Sequence, residues 1–281
     1  MSDIQALFNA TTNLPVLPKV VEELLRLLEE DDPDLKEVIQ KINRDPVIAA
    51  KVLRQANTAH YGSTRQIKTL DEAVAIIGFA RLVTLVIASG VTEAVTEVPG
   101  VDLPTFWKRS FVTAAIARKI SLDLNKNART KYLPELVYLG ALLHGIGQLV
   151  MHLFFPNAGF VLDQANAAPT VAERKNVERT HLGVDHCQVG QELTKRWLLP
   201  EEIQLMVRFY LEPNHAEADQ HAEIVHLAEQ LASGMLQAAQ ASKMAEEITN
   251  HLTEKLAEDE DAWAEIIDGF SVFLSEADAF I

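Results

Sequence analysis

The sequence has a single cysteine, Cys187, among its 281 residues. A disulfide needs two cysteines and a cysteine-based zinc site needs several, so neither can form within this chain. The first ten residues, MSDIQALFNA, have no basic start and no long apolar run, which disfavours a secretory signal. These absences predict a soluble, cytoplasmic protein.

Basic residues are also scarce, with 25 Lys and Arg against 40 Asp and Glu, which gives a formal net charge of −15. Proteins bind nucleic-acid backbones and anionic membranes largely through Lys and Arg. We therefore expect no nucleic acid and no membrane as a partner. A net charge of this size also keeps a protein soluble, which is the simpler interpretation.

Aromatic residues make up only 6% of the chain, and the period-two alternation typical of strands is almost absent. Hydrophobic residues, at 48%, recur instead at helical spacing between clear helix starts. Asp45 followed by Pro46 is typical of a helix start, and Thr69 with Glu72 fits a capping box. The sequence therefore predicts an all-α fold.

A linker is predicted at residues 96–104, which hold two prolines and a glycine. It separates an N-terminal helical lobe, residues 14–95, from a second helical lobe, residues 105–232. Residues 233–281 form a helical extension whose apolar face, which includes Trp263, is too large to leave in water. We expect this extension to pack on the second lobe.

Residues 136–155, LVYLGALLHGIGQLVMHLFF, are nearly all apolar and predict one central, buried helix. Its few polar residues include His144, Gln148 and His152, which lie four apart and therefore form one stripe on a helix. The stretch is long enough to span a bilayer, but its histidines and glycines disfavour that. For His144 alone, a hydrogen-bonded core residue is the default, and a metal ligand needs partners elsewhere in the chain.

Short motifs occur in a fixed order along the chain. They are Leu14-Pro15, Leu17-Pro18, Asp45-Pro46, Leu53 to Asn57, Tyr61-Gly62, Ile77-Gly78, Phe106-Trp107, Gly140 to Gly147, Glu178, Gly183, His186, Gly190, Trp197 and Leu199-Pro200. Together they resemble the HDOD domain, a bacterial signalling relative of the HD-type metal-dependent phosphohydrolases, over residues 14–232. The resemblance implies a two-lobed all-α fold, with an N-terminal bundle against an HD-like lobe, and a role in signal transduction.

The resemblance also implies a degenerate metal site. HD enzymes hold a divalent metal with a first His, a His-Asp pair and a distal Asp, and the metal activates a water. The matching positions here are Arg109, His144 followed by Gly145, and Glu229. One His, one Glu and one Arg are a poor ligand set for a divalent cation, so we expect no metal, no cofactor and no catalytic residue. Relatives often carry a His pair where this chain has Phe209 and Tyr210.

Two further motif residues, Glu178 and His186, are candidate ligand contacts. For His186 we favour a structural hydrogen bond that holds the preceding loop against its helix. Four motif residues are expected to act structurally: Asn57, Trp107, Gly147 and Trp197. Asn57 is expected to cap its helix or bond across the lobes, and Trp107 to pack between them.

Three functions follow from these residues, and the first is favoured. The missing ligands indicate a non-catalytic module that binds a signalling protein or a small ligand. A residual metal-dependent phosphohydrolase would use His144, His186 and Glu229, and metal analysis would reveal it. A nucleotide-sensing domain would use Arg109, since arginine pairs well with phosphate.

Overall fold

The computed structural model of the protein describes residues 4–11, 13–27, 34–58, 66–127, 131–158, 161–162, 171–236, 265–266 and 269–280. All regular secondary structure within these residues is helical, which confirms the predicted all-α fold. The helices are α1 Ile4–Ala10, α2 Lys19–Leu27, α3 Leu35–Asn43, α4 Pro46–Ala56, α5 Leu70–Ile77, α6 Phe79–Ala94, α7 Leu103–Asn127, α8 Pro134–Leu143, α9 Ile146–Phe154, α10 Val171–Leu182, α11 His186–Arg196, α12 Glu201–Phe209, α13 Ala222–Leu236 and α14 Phe270–Phe280.

The predicted helix starts of the N-terminal region are confirmed by their capping contacts. The Asp45 side chain accepts hydrogen bonds from the backbone N–H groups of Val47 and Ile48, and proline takes the first position of α4. Thr69 accepts from the N–H of Glu72 at the start of α5. These bonds satisfy backbone donors that have no partner within the helix, so the sequence determines where each helix begins.

Helix α1 was not predicted from the sequence. It is only seven residues long, and helices of that length are marginal in water without tertiary contacts. Phe8 provides such a contact, because its buried ring meets the ring of Phe154 edge-on with the centroids 4.9 Å apart. The helix is therefore stabilised by packing against α9.

The prediction of one central helix over residues 136–155 is wrong, because two helices occupy this stretch. The chain leaves helical geometry at Gly145, with φ −92° and ψ 0°, and α9 begins at the next residue. Glycine lowers helix stability by about 1 kcal/mol relative to alanine, so a break here is inexpensive. The stripe survives the break, since His144, Gln148 and His152 line one cavity.

Helix α8 lies at the centre of the protein and contacts α6, α7, α12 and α13, while α9 packs against α11. Residues Pro134–Phe154 are long and apolar enough to cross a membrane by length and composition, but 83% of their most apolar window is buried inside the structure. This apolar surface therefore forms the core of the protein.

The sequence predicts a further helix over about residues 156–167, but this prediction is wrong at its start, because Pro156 and Asn157 form a turn after α9. Only residues 161–162 of the rest are described, and they are helical. The sequence also predicts a helix near residues 243–257 within the C-terminal extension, and this segment and Trp263 lie outside the described residues.

Helix α14 contacts α7 and also α4. The Phe280 ring stacks on the ring of Phe111 in α7, with the centroids 4.1 Å apart. On the other side, Gln55 Nε2 in α4 donates to the carbonyl oxygen of Glu276 at 2.8 Å. The C-terminal helix thus touches both predicted lobes, and the division at residues 95 and 105 stays a prediction.

Candidate functional site

A cavity of about 260 Å³ lies between the N-terminal half of α7, the break between α8 and α9, and α10. Its lining residues are Gly100, Val101, Asp102, Thr105, Phe106, Arg109, Ser110, His144, Gly145, Gln148, Leu149, His152 and Arg174. Two of the predicted site residues, Arg109 and His144, are among them. We call this space the Arg109 cavity.

His144 lies at the break between α8 and α9 and is almost fully buried. Its Nδ1–H donates to the carbonyl oxygen of Ala141 at 2.5 Å, and its ring meets the Tyr210 ring edge-on at 5.0 Å. Burial lowers the pKa of His144 to about 4, although the negative charge of Glu229 opposes this. The imidazole is therefore neutral at pH 7, and Nε2 keeps its lone pair.

Arg109 and Glu229 form an ion pair between α7 and α13, through Arg109 Nη2 and Glu229 Oε1. The Glu229 side chain is only 6% exposed, whereas that of Arg109 is 43% exposed towards the cavity opening. The Nε atom of Arg109 is nevertheless buried, and no described residue gives it a hydrogen-bond partner. Two positions separated by 120 residues in sequence are thus brought together, and each neutralises the charge of the other.

Behind the cavity, Glu178 and His186 form a fully buried pair with Nδ1 and Oε2 2.6 Å apart. Glu178 also accepts from Arg174 Nε at 2.9 Å, and His186 Nε2 lies 2.9 Å from the Tyr210 hydroxyl. Burial alone would raise the pKa of Glu178, but the bonds from His186 and Arg174 outweigh it and lower the pKa to about 2. Glu178 is therefore a carboxylate at neutral pH.

The Glu178–His186 pair also fixes the backbone where α10 turns into α11. Glu178 Oε2 accepts from the backbone N–H of His186 at 2.9 Å, which is the kind of bond that the structural interpretation of His186 predicts. Asp185 caps α11 in a capping box with Gln188, which the sequence analysis missed. Neither Glu178 nor His186 lines the Arg109 cavity. Glu178 bonds Arg174, which does line it, and His186 bonds Tyr210, whose ring meets that of His144.

Two of the motif residues expected to be structural, Asn57 and Trp107, make defined contacts around their own helices. Asn57 bonds within the N-terminal region, to Leu53 and to both backbone groups of Ile67, and so holds the residues before α5. Trp107 is buried beside the rings of Phe106 and Phe111.

Gly147 lies directly against the backbone of α11, where α9 packs on that helix. A Cβ atom added there would lie 1.8 Å from the carbonyl oxygen of His186 and 2.6 Å from the backbone nitrogen of Gly190. Only glycine fits this contact, because the obstructing atoms belong to the backbone. Gly147 thus sets the position of His186 relative to the cavity wall.

Sequence reasoning missed several lining residues, chiefly Asp102, Thr105, Ser110 and Arg174. A signal for some of them was present, since Asp102, Thr105 and Phe106 precede Arg109 at spacings that place them on one helical face. Arg174 lies four residues before Glu178, which is the spacing of a helical ion pair. Among the described residues, no group of three or more His, Cys, Asp and Glu could hold a metal ion.

The buried, neutral state of His144 predicts acid sensitivity. Its pKa is lowered from 6.5 to about 4, so its contribution is fully present above pH 6.5 and is lost as pH falls towards 4. The shift corresponds to about 3 kcal/mol of unfolding free energy. We expect His144→Gln to reduce the slope of stability between pH 6.5 and 4, measured by urea unfolding. An unchanged slope would show that His144 is protonated equally in both states.

The sequence matches the HDOD domain family over residues 14–213. By structure, the chain resembles a Shewanella amazonensis protein named a "Putative phosphohydrolase", with a TM-score of 0.77, 28% identity and 98% of each chain covered. It also resembles an HDOD domain protein with unknown function from Geobacter sulfurreducens, with a TM-score of 0.76, 20% identity, and 99% and 97% of the two chains covered. An uncharacterized protein of Treponema pallidum is 24% identical over 204 residues, which cover 73% of this chain but only 39% of the relative's length.

Proposed function

The chain belongs to the HDOD domain family, and from this we propose that it is a cytoplasmic signalling module that acts by binding a protein or small ligand. We propose further that it does not catalyse metal-dependent phosphohydrolysis. The observation that carries this proposal is the Arg109–Glu229 ion pair beside His144. In an HD-type site, a carboxylate at this position would have to be free to hold a divalent cation.

The ion pair opposes metal binding in two ways. Glu229 already has its charge neutralised, so a cation would have to displace Arg109 to use that carboxylate. The repulsion between a guanidinium and a divalent cation at roughly 4 to 5 Å would be about 6 to 8 kcal/mol at an effective dielectric of 20, before solvent screening. Arg109 is partly exposed, so screening lowers this figure, but its sign remains unfavourable.

The residue after His144 supplies no compensating ligand. Gly145 has no side chain, and a Cβ added there would meet the Phe106 ring at 3.3 Å and the Gln148 side-chain nitrogen at 3.6 Å. An aromatic ring and an amide nitrogen offer no charge to a cation. The donor set at this site therefore does not fit the divalent metal of the parent enzymes.

A second candidate is a sensor of small phosphorylated ligands, and one observation favours it. The buried Nε of Arg109 has no hydrogen-bond partner among the residues that the structure describes, and Arg174 lines the same cavity. Arginine N–H groups pair well with phosphate oxygens, so a phosphate could satisfy this donor. Calorimetric titration with nucleotides and cyclic dinucleotides, on the wild type and Arg109→Leu, separates this candidate from a module that binds only proteins.

We expect wild-type protein and Gly145→Asp both to lack phosphodiesterase activity, even with added Mn²⁺. The aspartate would restore one carboxylate, but it would leave Arg109 in place and too few ligands for a tight site. The measurement is hydrolysis of bis-p-nitrophenyl phosphate with and without chelator. Chelator-sensitive turnover by the wild type would overturn the proposal and favour the residual phosphohydrolase.

A further inference from the structure

A second cavity, of about 370 Å³, shares no lining residue with the Arg109 cavity. We call it the Leu198 groove. It is bounded by the segment before α2, by α2 itself and by the end of α11. Its lining residues are Leu14, Pro15, Val16, Leu17, Glu22, Leu25, Arg26, Leu193, Arg196, Trp197 and Leu198.

The groove is where motifs from the two ends of the family match meet. The indole Nε1–H of Trp197 donates to the carbonyl oxygen of Pro15 at 3.1 Å, and both residues are separated by 182 positions in sequence. Leu17 and Leu193 are buried and form its base. The site built around Arg109 and His144 gives these residues no role.

Leu198 has a backbone conformation that leucine rarely adopts. Its φ is +56°, and it is the one non-glycine residue with a positive φ in the described part of the chain. It follows α11, where the N–H of Leu198 bonds to the Lys195 carbonyl and the N–H of Leu199 bonds to the Thr194 carbonyl. Glycine usually occupies this position at a helix end, because a side chain strains it. A leucine thus occupies a position where glycine would avoid the backbone strain.

Burial of the Leu198 side chain does not offset that strain, because the side chain lies mostly outside the core. Leu198 is 62% exposed, and Val16 on the opposite wall is 70% exposed. Two large apolar side chains thus border an apolar groove and face water. Strain and exposure at the same residue are two independent costs, and a bound partner that covers the leucine would offset both.

The charges around the groove indicate what could cover it. The chain carries a net charge of −15, yet the charged residues that line this groove are two arginines, Arg26 and Arg196, against one acidic residue, Glu22. Arg196 is paired with Glu192 at 2.8 Å, whereas Arg26 forms no ion pair within the part of the chain that the structure describes. An acidic group on a ligand would complement Arg26.

We propose that the Leu198 groove binds a peptide segment of a partner protein, with apolar side chains next to acidic ones. A molecule small enough to sit inside the groove would leave the outer surfaces of Val16 and Leu198 in water, whereas a peptide lying across it covers both. The inference rests on the proposed binding function and names one surface that would perform it.

The test uses a random peptide library displayed on phage and selected against the full chain. The enriched peptides should combine Leu, Ile or Phe with Asp or Glu. Fluorescence anisotropy with a synthetic version of the best peptide should give at least tenfold weaker binding for Leu198→Gly and for Arg26→Glu. The matched control is Leu133→Ala, which removes a leucine that is 56% exposed and does not line the groove. It should bind like the wild type.

Leu198→Gly is a suitable test variant because it relieves the backbone strain and is therefore not expected to destabilise the fold. We expect it to raise the unfolding temperature while it weakens binding, so loss of binding cannot come from misfolding. Enriched peptides that are basic, no enrichment, or equal binding by Leu198→Gly would each overturn the groove proposal. Self-association of the wild type that Leu198→Gly abolishes would overturn it in favour of a second copy of the chain. None of these results depends on phosphodiesterase activity. The groove proposal and the proposal of a metal-free site can therefore be contradicted independently of each other.

Discussion

Replacing Gly147 by alanine is expected to lower the free energy of unfolding by about 3 kcal/mol or more, at the upper end of overpacking effects. The added methyl group would lie 1.8 Å from the His186 carbonyl oxygen, so α9 and α11 would have to separate. Backbone atoms cannot rotate away as a flexible side chain can. Because the same carbonyl belongs to the residue that bonds Glu178, the change would also disturb the buried pair.

Gly145→Ala is the matched control for this prediction. It lies two residues away, and its added methyl group would meet only side-chain atoms, the Phe106 ring at 3.3 Å and the Gln148 amide nitrogen at 3.6 Å. We expect a change of about 1 kcal/mol or less, since alanine also favours helical geometry. Urea unfolding followed by circular dichroism measures both variants. Equal effects at the two positions would show that the contact between α9 and α11 yields easily.

Removing the Glu178 carboxylate is expected to cost about 3 to 5 kcal/mol at pH 7, the range for breaking a buried ion pair. Glu178→Ala leaves the Arg174 guanidinium and the His186 ring without their shared acceptor in a buried region. The matched control is Glu37→Ala, which removes a half-exposed ion pair with Lys41. A pair of that kind contributes less than about 1 kcal/mol. Urea unfolding of both variants at pH 7 is the measurement.

The same carboxylate predicts how stability depends on pH below 4.5. Its pKa is lowered from 4.5 to about 2, so its contribution is fully present above pH 4.5 and is lost as pH falls through that interval. The shift corresponds to about 3 kcal/mol. Glu178→Ala should therefore lose less stability than the wild type between pH 4.5 and pH 2. Parallel curves for the two proteins would contradict the pairing with His186 and Arg174.

The sequence was sufficient for features that depend on near neighbours. The starts of α4 and α5 follow from Asp45 and Thr69, because a capping side chain acts within three residues. The stripe of His144, Gln148 and His152 follows from helical spacing, and it lines one cavity even though the helix is broken.

Features that depend on distant residues could not be read from local pattern. Helix α1 forms because Phe8 packs on Phe154, and no spacing in the sequence links the two. The Arg109–Glu229 ion pair joins α7 to α13, and only the family resemblance placed these residues in one site. The left-handed conformation of Leu198 could not be predicted from the sequence, because glycine is the residue that usually indicates such a conformation at a helix end.

The central claim is that the site around His144 does not hold a catalytic metal, and elemental analysis of the purified wild type tests it most directly. The protein should be expressed in medium supplemented with Mn²⁺, Fe²⁺, Ni²⁺ and Zn²⁺, without an affinity tag that binds metal. We predict far less than one equivalent of any transition metal per chain, because the Glu229 carboxylate is already paired with the Arg109 guanidinium. Close to one equivalent, removable by chelator and lost in Glu229→Gln, would contradict the account.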